Sequence, residues 1–146
     1  MAERLRDPFA QSATFAYSCN MTNQLPEIDI DVETSYIENQ SVPANNRYVF
    51  AYKITISNAG DVPAQLISRH WVITDAAEHI QEVRGEGVVG EQPLLAPGES
   101  FTYTSAAMIE TPVGTMHGSY QMVTNDGTAF DAPIAAFRLS IPNVLH

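Results

Sequence analysis

The alternation of apolar and polar residues is the strongest pattern in this sequence of 146 residues. In "IDIDVET", Ile28, Ile30 and Val32 alternate with acidic residues, and "YVFAYKITIS" repeats the alternation from Tyr48 to Ile56. A period of two is typical of β-strands that bury one face. The run "QLISRHWVIT" is apolar on both faces, which favours a central strand covered on each side. The pattern therefore predicts a chain built largely from strands.

Turn-forming residues divide the rest of the chain into further short strands. "NAGDVP" follows the strand that ends near Ile56, and "NDGT" joins two later strands as a hairpin turn. No segment shows a period of 3.6 residues, and the connections are too short for helical crossovers. We predict an all-β fold, an antiparallel β-sandwich of the immunoglobulin or fibronectin type III kind with about seven or more strands. The predicted core includes Trp71, Ile54, Ile56, Phe101 and Tyr120.

The first 26 residues differ from the patterned part of the chain. They are polar, show no sustained period and end at Pro26. We predict a flexible N-terminal arm over residues 1–26 and a sandwich domain over residues 27–146, because the arm has too little apolar surface to offset the entropy of ordering it. Met21 stands just before the first predicted strand, so the functional chain could start at Met1 or at Met21.

Composition and charge restrict the class of protein. Apolar residues make up 45% of the chain and charged residues 16%, which is typical of a packed globular domain. The formal net charge of −10 would repel a phosphate backbone, which argues against a nucleic-acid partner. No apolar run approaches the roughly 20 residues that cross a bilayer, and the N-terminus lacks the apolar region of a signal peptide. With Cys19 as the only cysteine, these features predict a cytoplasmic protein without disulfides or membrane insertion.

The stretch "GEGVVG", residues 85–90, has the G-x-G-x-x-G spacing of dinucleotide-binding loops. In those loops the glycines lead into a helix whose N-terminal amides meet the pyrophosphate. Here Pro97 and Gly98 interrupt the chain a few residues later, and no strand-helix-strand unit surrounds the motif. The sequence therefore argues against a Rossmann-type dinucleotide site.

A simpler anion site at this loop stays open. Successive amides of a glycine-rich turn can hold phosphate without a helix. A hairpin that closes near residues 75–78 would place Arg69 close to Arg84, and two facing arginines repel unless an anion or a carboxylate lies between them. The favoured explanation is that Glu82, Glu86 or solvent neutralises these charges. The predicted residues of a phosphate, pyrophosphate or nucleotide site are Arg69, Arg84, Gly85, Gly87 and Gly90.

Metal ligands and catalytic groups form no local motif. The four histidines never occur at H-x-H or H-x-x-x-H spacing, although a cluster assembled by the fold stays open. Asp29, Asp31 and Glu33 could collect hydrated Mg²⁺ weakly, but a charged edge strand explains them more simply. Cys19 lies in the arm, and no serine stands in a G-x-S-x-G elbow. We predict no catalytic residue, no cofactor and no metal site.

Four stretches together carry a family resemblance: "RYVFAYKITISNAGDVPAQLISRHWVITD", "EVRGEGVVGEQPLLAPGESFTYTS", "ETPVGTMHGSYQMV" and "FRLSIPNVLH". The chain resembles the bacterial ApaG family, also called CorD, from about Ile28 to His146. Its N-terminal arm is longer than the family usually shows. The resemblance implies a fibronectin type III-like sandwich, in agreement with the strand pattern. It also implies kinship with a domain that mediates protein interactions in an F-box protein and in a polymerase-delta interacting protein.

The resemblance implies a function other than catalysis. The family is associated with cobalt resistance and magnesium efflux, and no enzymatic activity is established for it. We predict a non-enzymatic module that influences Mg²⁺ and Co²⁺ homeostasis by binding a protein whose identity is left open. Loops at the ends of a rigid sandwich are the usual recognition surface of this architecture. The predicted partner-contacting residues are Glu86, Val88, Val89, Glu91, Gln92, Thr111 and Pro112.

Overall fold

A computed structural model describes residues 26–142, which form eight β-strands and two single-turn 3-10 helices. The strands are β1 (Ile28–Tyr36), β2 (Tyr48–Asn58), β3 (Ala64–Asp75), β4 (Ile80–Glu86), β5 (Leu94–Leu95), β6 (Ser100–Ile109), β7 (Val113–Thr124) and β8 (Ala129–Ser140). The short helices, Glu38–Gln40 and Pro43–Asn45, both lie between β1 and β2. The predicted arm falls outside the described residues except for Pro26, as do Cys19, Met21 and His146.

The strands form two antiparallel sheets. The smaller sheet has the order β1-β2-β6, and the larger has the order β4-β3-β7-β8, with β5 also paired to β3. Both β4 and β5 pair with β3 on the side away from β7, so they follow one another along the same edge of β3. The prediction of an all-β sandwich of seven or more antiparallel strands is confirmed.

The core lies between the inner faces of the two sheets. Four of the five predicted core residues are buried, namely Trp71, Ile54, Ile56 and Tyr120. Trp71 is only 2% exposed, and the Tyr120 ring meets it edge-on at a centroid distance of 6.3 Å. Phe101 is half-buried and packs at the margin of this core. The aromatic residues on the strand periods therefore hold the two sheets together.

Strands β1 and β4 are both edge strands, but they carry different side chains. Asp29, Asp31 and Glu33 are exposed along β1, which confirms the prediction of a charged edge strand. β4 is exposed along nearly its whole length and carries exposed apolar side chains at Ile80 and Val83. The β4 edge of the larger sheet is therefore the place where apolar surface remains open to solvent.

Candidate functional site

The loop after β4 contains most of the residues predicted from the sequence, and its conformation is a tight turn. The Val88 amide donates to the Glu91 carbonyl at 2.8 Å, and the Glu91 amide donates back to the Val88 carbonyl at 2.9 Å. Val89 and Gly90 between them have φ angles of 43° and 83°. Two successive left-handed residues define a type I′ turn, the turn of two-residue β-hairpins. The glycine motif is therefore a hairpin turn and not the start of a helix.

Two glycines, at positions 85 and 87, lie where a side chain would meet close neighbours. Gly87 has a φ of 66°, and a Cβ at this position would collide with the Glu91 carbonyl oxygen. At Gly85 a Cβ would lie 2.8 Å from Nη1 of Arg69. The spacing of these two glycines is therefore explained by the turn and by the Arg69 side chain that crosses it.

The two valines of the loop have opposite environments. Val88 is fully buried and belongs to the hydrophobic core, so its prediction as a partner-contacting residue is wrong. Val89 is 58% exposed at the tip of the turn, although left-handed φ values are costly for a β-branched residue. The turn is fastened to the core through Val88 and presents Val89 to solvent. Glu86, Glu91 and Gln92 are exposed beside it, and their contact with a partner stays a prediction.

Arg69 and Arg84 do not face each other. The register pairs Arg69 with Gly85 and Arg84 with His70, and paired residues share a face of the sheet. Arg69 is therefore on the core-facing side with Trp71, whereas Arg84 is on the outer side. A shift of one residue in register moves a side chain to the opposite face, and this explains why the predicted arginine pair is wrong.

Each arginine has protein partners of its own. Nη1 of Arg69 donates to the carbonyl oxygens of Gly87 at 2.8 Å and Glu86 at 3.2 Å, which ties the loop to β3. Nη2 of Arg84 lies 3.6 Å from Oε1 of Glu82, an exposed ion pair. The same Glu82 oxygen lies 2.9 Å from Nε2 of His70, and this hydrogen bond is the main cause that lowers the pKa of Glu82. Glu82 is therefore the carboxylate beside the Arg84 charge, one of the groups that the favoured explanation named.

The loop amides are largely committed to the backbone. The Gly87 amide donates to the Ile67 carbonyl, and the Val88 and Glu91 amides donate to each other's carbonyls. The carboxylates of Glu86 and Glu91 stand exposed on either side of the turn. These contacts leave few donors for an anion, and they add negative charge where an anion would approach.

The two loops predicted to act together lie at different ends of the larger sheet. Glu86 pairs with Ser68 at one position of β3, and Gly114 pairs with Asp75 seven residues further along. Seven residues of strand span roughly 23 Å, so the structure does not bring "GEGVVGEQP" and "ETPVGTM" together. Thr111 is occupied in its own loop, where its hydroxyl accepts from the Ala76 amide and donates to the Val113 carbonyl. Pro112, beside it, is half-buried.

A cluster of possible metal ligands lies beside Thr111 and was missed by the sequence reasoning. Ligand atoms of Asp75, His79 and Glu110 all lie within 4.8 Å of one another, the one such trio among residues 26–142. One imidazole and two carboxylates are donors that a divalent transition metal accepts. Oδ1 of Asp75 already accepts from the Ala77 and His79 amides, each at 2.9 Å. These contacts lower the pKa of Asp75, the His79 amide most of all, and they close the β3–β4 turn.

The most strongly perturbed titratable groups are buried tyrosines. The hydroxyls of Tyr103 and Tyr120 lie 2.6 Å apart inside the sandwich. Burial raises the pKa of Tyr103 to about 12 and raises that of Tyr120 further. Both phenols stay protonated at neutral pH, and one hydroxyl donates to the other inside the core, which is a structural role.

Among the described residues, the large apolar side chains that are exposed lie mainly along the β4–β5 edge of the larger sheet. We call five of them the β4 edge cluster: Ile80, Val83, Val89, Leu94 and Met108. The first four follow one another along β4, its loop and β5, all beside β3. Met108 lies on β6 of the other sheet, where its carbonyl accepts from Nε2 of Gln81 at 3.2 Å. Among the described residues, the one other large hydrophobic that is exposed is Val42, in the connection between β1 and β2.

Comparison with known proteins identifies the family. Residues 38–124 match the ApaG domain. The chain is 64% identical over 119 residues to Protein ApaG of Azoarcus sp. (strain BH72), which covers 82% of this chain and 94% of that protein. This chain belongs to the ApaG family. It is 60% identical over 126 residues to Protein ApaG of Azotobacter vinelandii, covering 86% of this chain and all of that protein.

A crystal structure of the putative ApaA protein from Bordetella pertussis has a similar fold. It shares 52% sequence identity with this chain at a TM-score of 0.79, covering 82% of this chain and 97% of that one.

The ApaG match begins at Glu38 and ends at Thr124, so it contains the β3–β4 turn, the glycine loop and all of β4 and β5. The β4 edge cluster therefore lies wholly inside the matched ApaG domain. No helix among residues 26–142 is long and apolar enough to span a membrane.

Proposed function

We propose that this ApaG chain is a non-enzymatic cytoplasmic module that influences Mg²⁺ and Co²⁺ homeostasis by binding another protein. The observation that carries this proposal is the β4 edge cluster. Four of its members follow one edge of the larger sheet, from Ile80 opposite Thr74 to Leu94 opposite Gln65, and an exposed sheet edge with apolar side chains is a ready site for pairing with another chain. The connection to Mg²⁺ and Co²⁺ comes from the family resemblance alone.

The shape of the glycine loop supports a recognition role. Val89 is held at the tip of a two-residue turn, and the turn is fixed by Val88 in the core and by Arg69 on the backbone carbonyls. Backbone strain of this kind persists only where the surrounding structure enforces it, and such sites are often functional. A rigid apolar tip loses little entropy on binding, which favours affinity for a partner.

The groups with perturbed pKa values support a module without catalysis. Asp75 accepts hydrogen bonds that close a turn, Glu82 pairs with His70, and the two buried tyrosine hydroxyls share one hydrogen bond. Each of these groups has a structural partner. Asp75 lines a shallow, open pocket beside Gly114 and Phe137, but its Oδ1 is held by the turn amides of Ala77 and His79. An arrangement for catalysis would instead aim a perturbed group at a substrate pocket.

A phosphate or pyrophosphate site at Gly85 to Gly90 is the second candidate, and the loop geometry supports it less well. Three loop amides already donate to carbonyls, and Arg69 does the same. Titrating pyrophosphate into the isotope-labelled protein would decide between the candidates. Amide shifts confined to residues 85–90 at micromolar to low millimolar concentrations would favour the anion site, and unchanged amides would remove it.

In-cell crosslinking tests the proposed function. A photoreactive residue is placed at Val89 or Leu94 in the β4 edge cluster and, as a matched control, at Val42, which is also exposed and apolar. The expected result is one protein crosslinked from the two cluster positions and not from position 42, and its deletion should reproduce the Mg²⁺ and Co²⁺ phenotype of deleting this chain. Equal crosslinking from all three positions would overturn the proposal.

Calorimetry separates an indirect role in metal homeostasis from direct metal binding. The isolated protein is titrated with Co²⁺ and with Mg²⁺, and the variant His79→Ala is titrated in parallel. The proposal expects no stoichiometric binding at micromolar concentrations. Micromolar Co²⁺ binding that disappears in His79→Ala would replace the protein-binding module with a metal-binding one at Asp75, His79 and Glu110.

A further inference from the structure

The direction of the backbone groups along β4 follows from the hydrogen bonds at its two ends. The Asp75 amide donates to the His79 carbonyl, and the Gly87 amide donates to the Ile67 carbonyl. In an antiparallel ladder, hydrogen-bonded pairs alternate with pairs that point their backbone groups away. Residues 81, 83 and 85 therefore bond to β3. Glu82 and Arg84 direct their amides and carbonyls to the outer edge, where no backbone partner lies among residues 26–142.

Charge along the edge, proline and bulges usually prevent an edge strand from pairing with another chain. β4 has neither proline nor a bulge, and its charges are of both signs, with Arg84 between Glu82 and Glu86. Three acidic residues are exposed along β1, and β8 contains Pro133 next to a register shift. On the β6 edge, the Met108 carbonyl already accepts a hydrogen bond from Nε2 of Gln81. β6 also has no proline and pairs with β2 without a bulge. What distinguishes β4 from the other edges described is that it combines these features with exposed apolar side chains at both Ile80 and Val83.

The apolar residues of β4 lie on both faces of the strand. Val83 pairs with Trp71 and lies toward the core side, whereas Ile80 pairs with Thr74 on the outer side. Val83 is 37% exposed and Ile80 is 64% exposed. A partner packed flat on one face of the sheet would cover only one of them. A strand added beside β4 would cover both, because its side chains alternate between the same two faces.

Charge indicates which kind of strand fits. Glu82 and Glu86 lie on the outer face of β4, and Glu78 and Glu91 lie just before it and in the loop after it, with only Arg84 as a cation on the strand. The whole chain carries −10. Cationic side chains on the outer face of an added strand would be complementary to this edge, and apolar side chains on its inner face would pack beside Val83.

A second copy of β4 fits this edge poorly. Two copies of β4 could pair antiparallel with Glu82 of one chain opposite Arg84 of the other. In an antiparallel pair one residue number falls as its partner's rises, so this register also sets Ile80 opposite Glu86. That register places an apolar side chain against a carboxylate at each end. It would also bring together two chains that each carry −10.

We propose that β4 binds an extended segment of a partner protein as an added strand, and that lysine or arginine alternates with apolar residues in that segment. The inference rests on the proposed protein-binding function and names its mode and partner chemistry. Backbone hydrogen bonds to Glu82 and Arg84 supply affinity, and the alternating side chains supply specificity. The contact spans the seven residues of β4.

The first test uses the full-length protein and a capped peptide, Lys-Val-Lys-Val-Lys-Val-Lys, followed by amide spectra. The expected result is a set of shifts concentrated in residues 80–86, with slower hydrogen exchange at the Glu82 and Arg84 amides. A peptide with glutamate in place of lysine should bind at least tenfold more weakly. Shifts centred on β1, β6 or β8, equal affinity for both peptides, or no binding of the lysine peptide would overturn strand addition.

The second test separates the backbone of Arg84 from its side chain. Arg84→Ala keeps the outward amide, whereas Arg84→Pro removes it without removing a hydrogen bond to β3. We expect peptide affinity to change less than about threefold in Arg84→Ala and to fall about tenfold in Arg84→Pro, as for a lost hydrogen bond. Equal loss in both variants would assign the effect to the side chain and contradict the proposal.

A modified peptide covers the case in which Arg84→Pro fails to fold. The lysine peptide is N-methylated at alternate residues, in one version on the edge facing β4 and in the other on the free edge. Only the version methylated on the edge that faces β4 should lose binding, and equal affinities of the two versions would overturn the proposal.

If the peptides fail while in-cell crosslinking still finds a partner at Val89 and Leu94, protein binding stands and strand addition does not. Concentration-dependent dimers in light scattering would favour a second copy instead.

Discussion

Strands β3 and β4 are hydrogen-bonded neighbours, yet they expose their apolar side chains very differently. Trp71 on β3 is 2% exposed, whereas its cross-strand partner Val83 on β4 is 37% exposed. β3 has strands on both sides and lies over the core, but β4 has a strand on one side only. Position in the sheet therefore decides whether an apolar residue stabilises the domain or stays available for a partner. The alternating pattern of the sequence does not distinguish these two uses.

The largest expected effect comes from β3. Trp71→Ala should lower the free energy of unfolding by about 3 to 5 kcal/mol, because it removes a buried ring that packs edge-on against other aromatic rings. Chemical denaturation of the variant and the parent measures the difference. An unchanged unfolding midpoint would remove Trp71 from the core and with it the contrast between the two strands.

A pH dependence tests the buried polar contact next to this core. Burial raises the pKa of Tyr103 from its ordinary value of 10.0 to about 12 in the folded protein. The folded state therefore favours the neutral phenol, and this stability is present below pH 10 and lost as the pH rises toward 12. The expected slope is about 1.4 kcal/mol per pH unit for this group. Urea unfolding at pH 9 and pH 11 measures it, and a slope that is the same in Tyr103→Phe would contradict the assignment.

Val89 should show opposite effects on stability and on binding. Val89→Asn creates the Asn-Gly pair that type I′ turns prefer, so the free energy of unfolding should rise by up to about 1 kcal/mol. Binding of the crosslinked partner should weaken, because the apolar tip is lost. Val89→Ala is the control that removes the apolar tip without supplying asparagine's tolerance of positive φ. A clear loss of stability in Val89→Asn would show that the Val89 side chain is needed for folding.

The smallest expected effect lies on β4 itself. Ile80→Ser should change the free energy of unfolding by less than about 0.5 kcal/mol, because the side chain is 64% exposed. Thermal and urea unfolding provide the comparison with Trp71→Ala. A loss as large as that of a core residue would mean that Ile80 is part of the stabilising core, and the contrast between β3 and β4 would fail.

The sequence was sufficient for the fold because the alternation is local. Ile54 and Ile56 are two residues apart on a long amphipathic strand, and both are fully buried. The turn at Asn125 to Thr128 was also predicted correctly, and Gly127 there has a φ of 90°. Such features depend on neighbours in the chain, which the pattern records directly.

The site needed tertiary information. Arg69 and Arg84 were paired wrongly because an error of one residue in register moves a side chain to the other face. Val88 was expected at the surface, and only the closure of the loop onto the core buries it. Asp75 and Glu110 are far apart in the sequence and meet because two loops lie side by side. The β4 edge cluster likewise requires the strand order, which no local pattern supplies.

The central claim is that the β4 edge cluster is the protein-binding surface, and the affinity of the purified crosslinked partner tests it most directly. Calorimetry compares the parent with the double variant Ile80→Ser, Val89→Ser and with the control Val42→Ser, after amide spectra confirm that each is folded. We expect at least tenfold weaker binding for the double variant and unchanged binding for the control. Equal affinity of the parent and the double variant would contradict it.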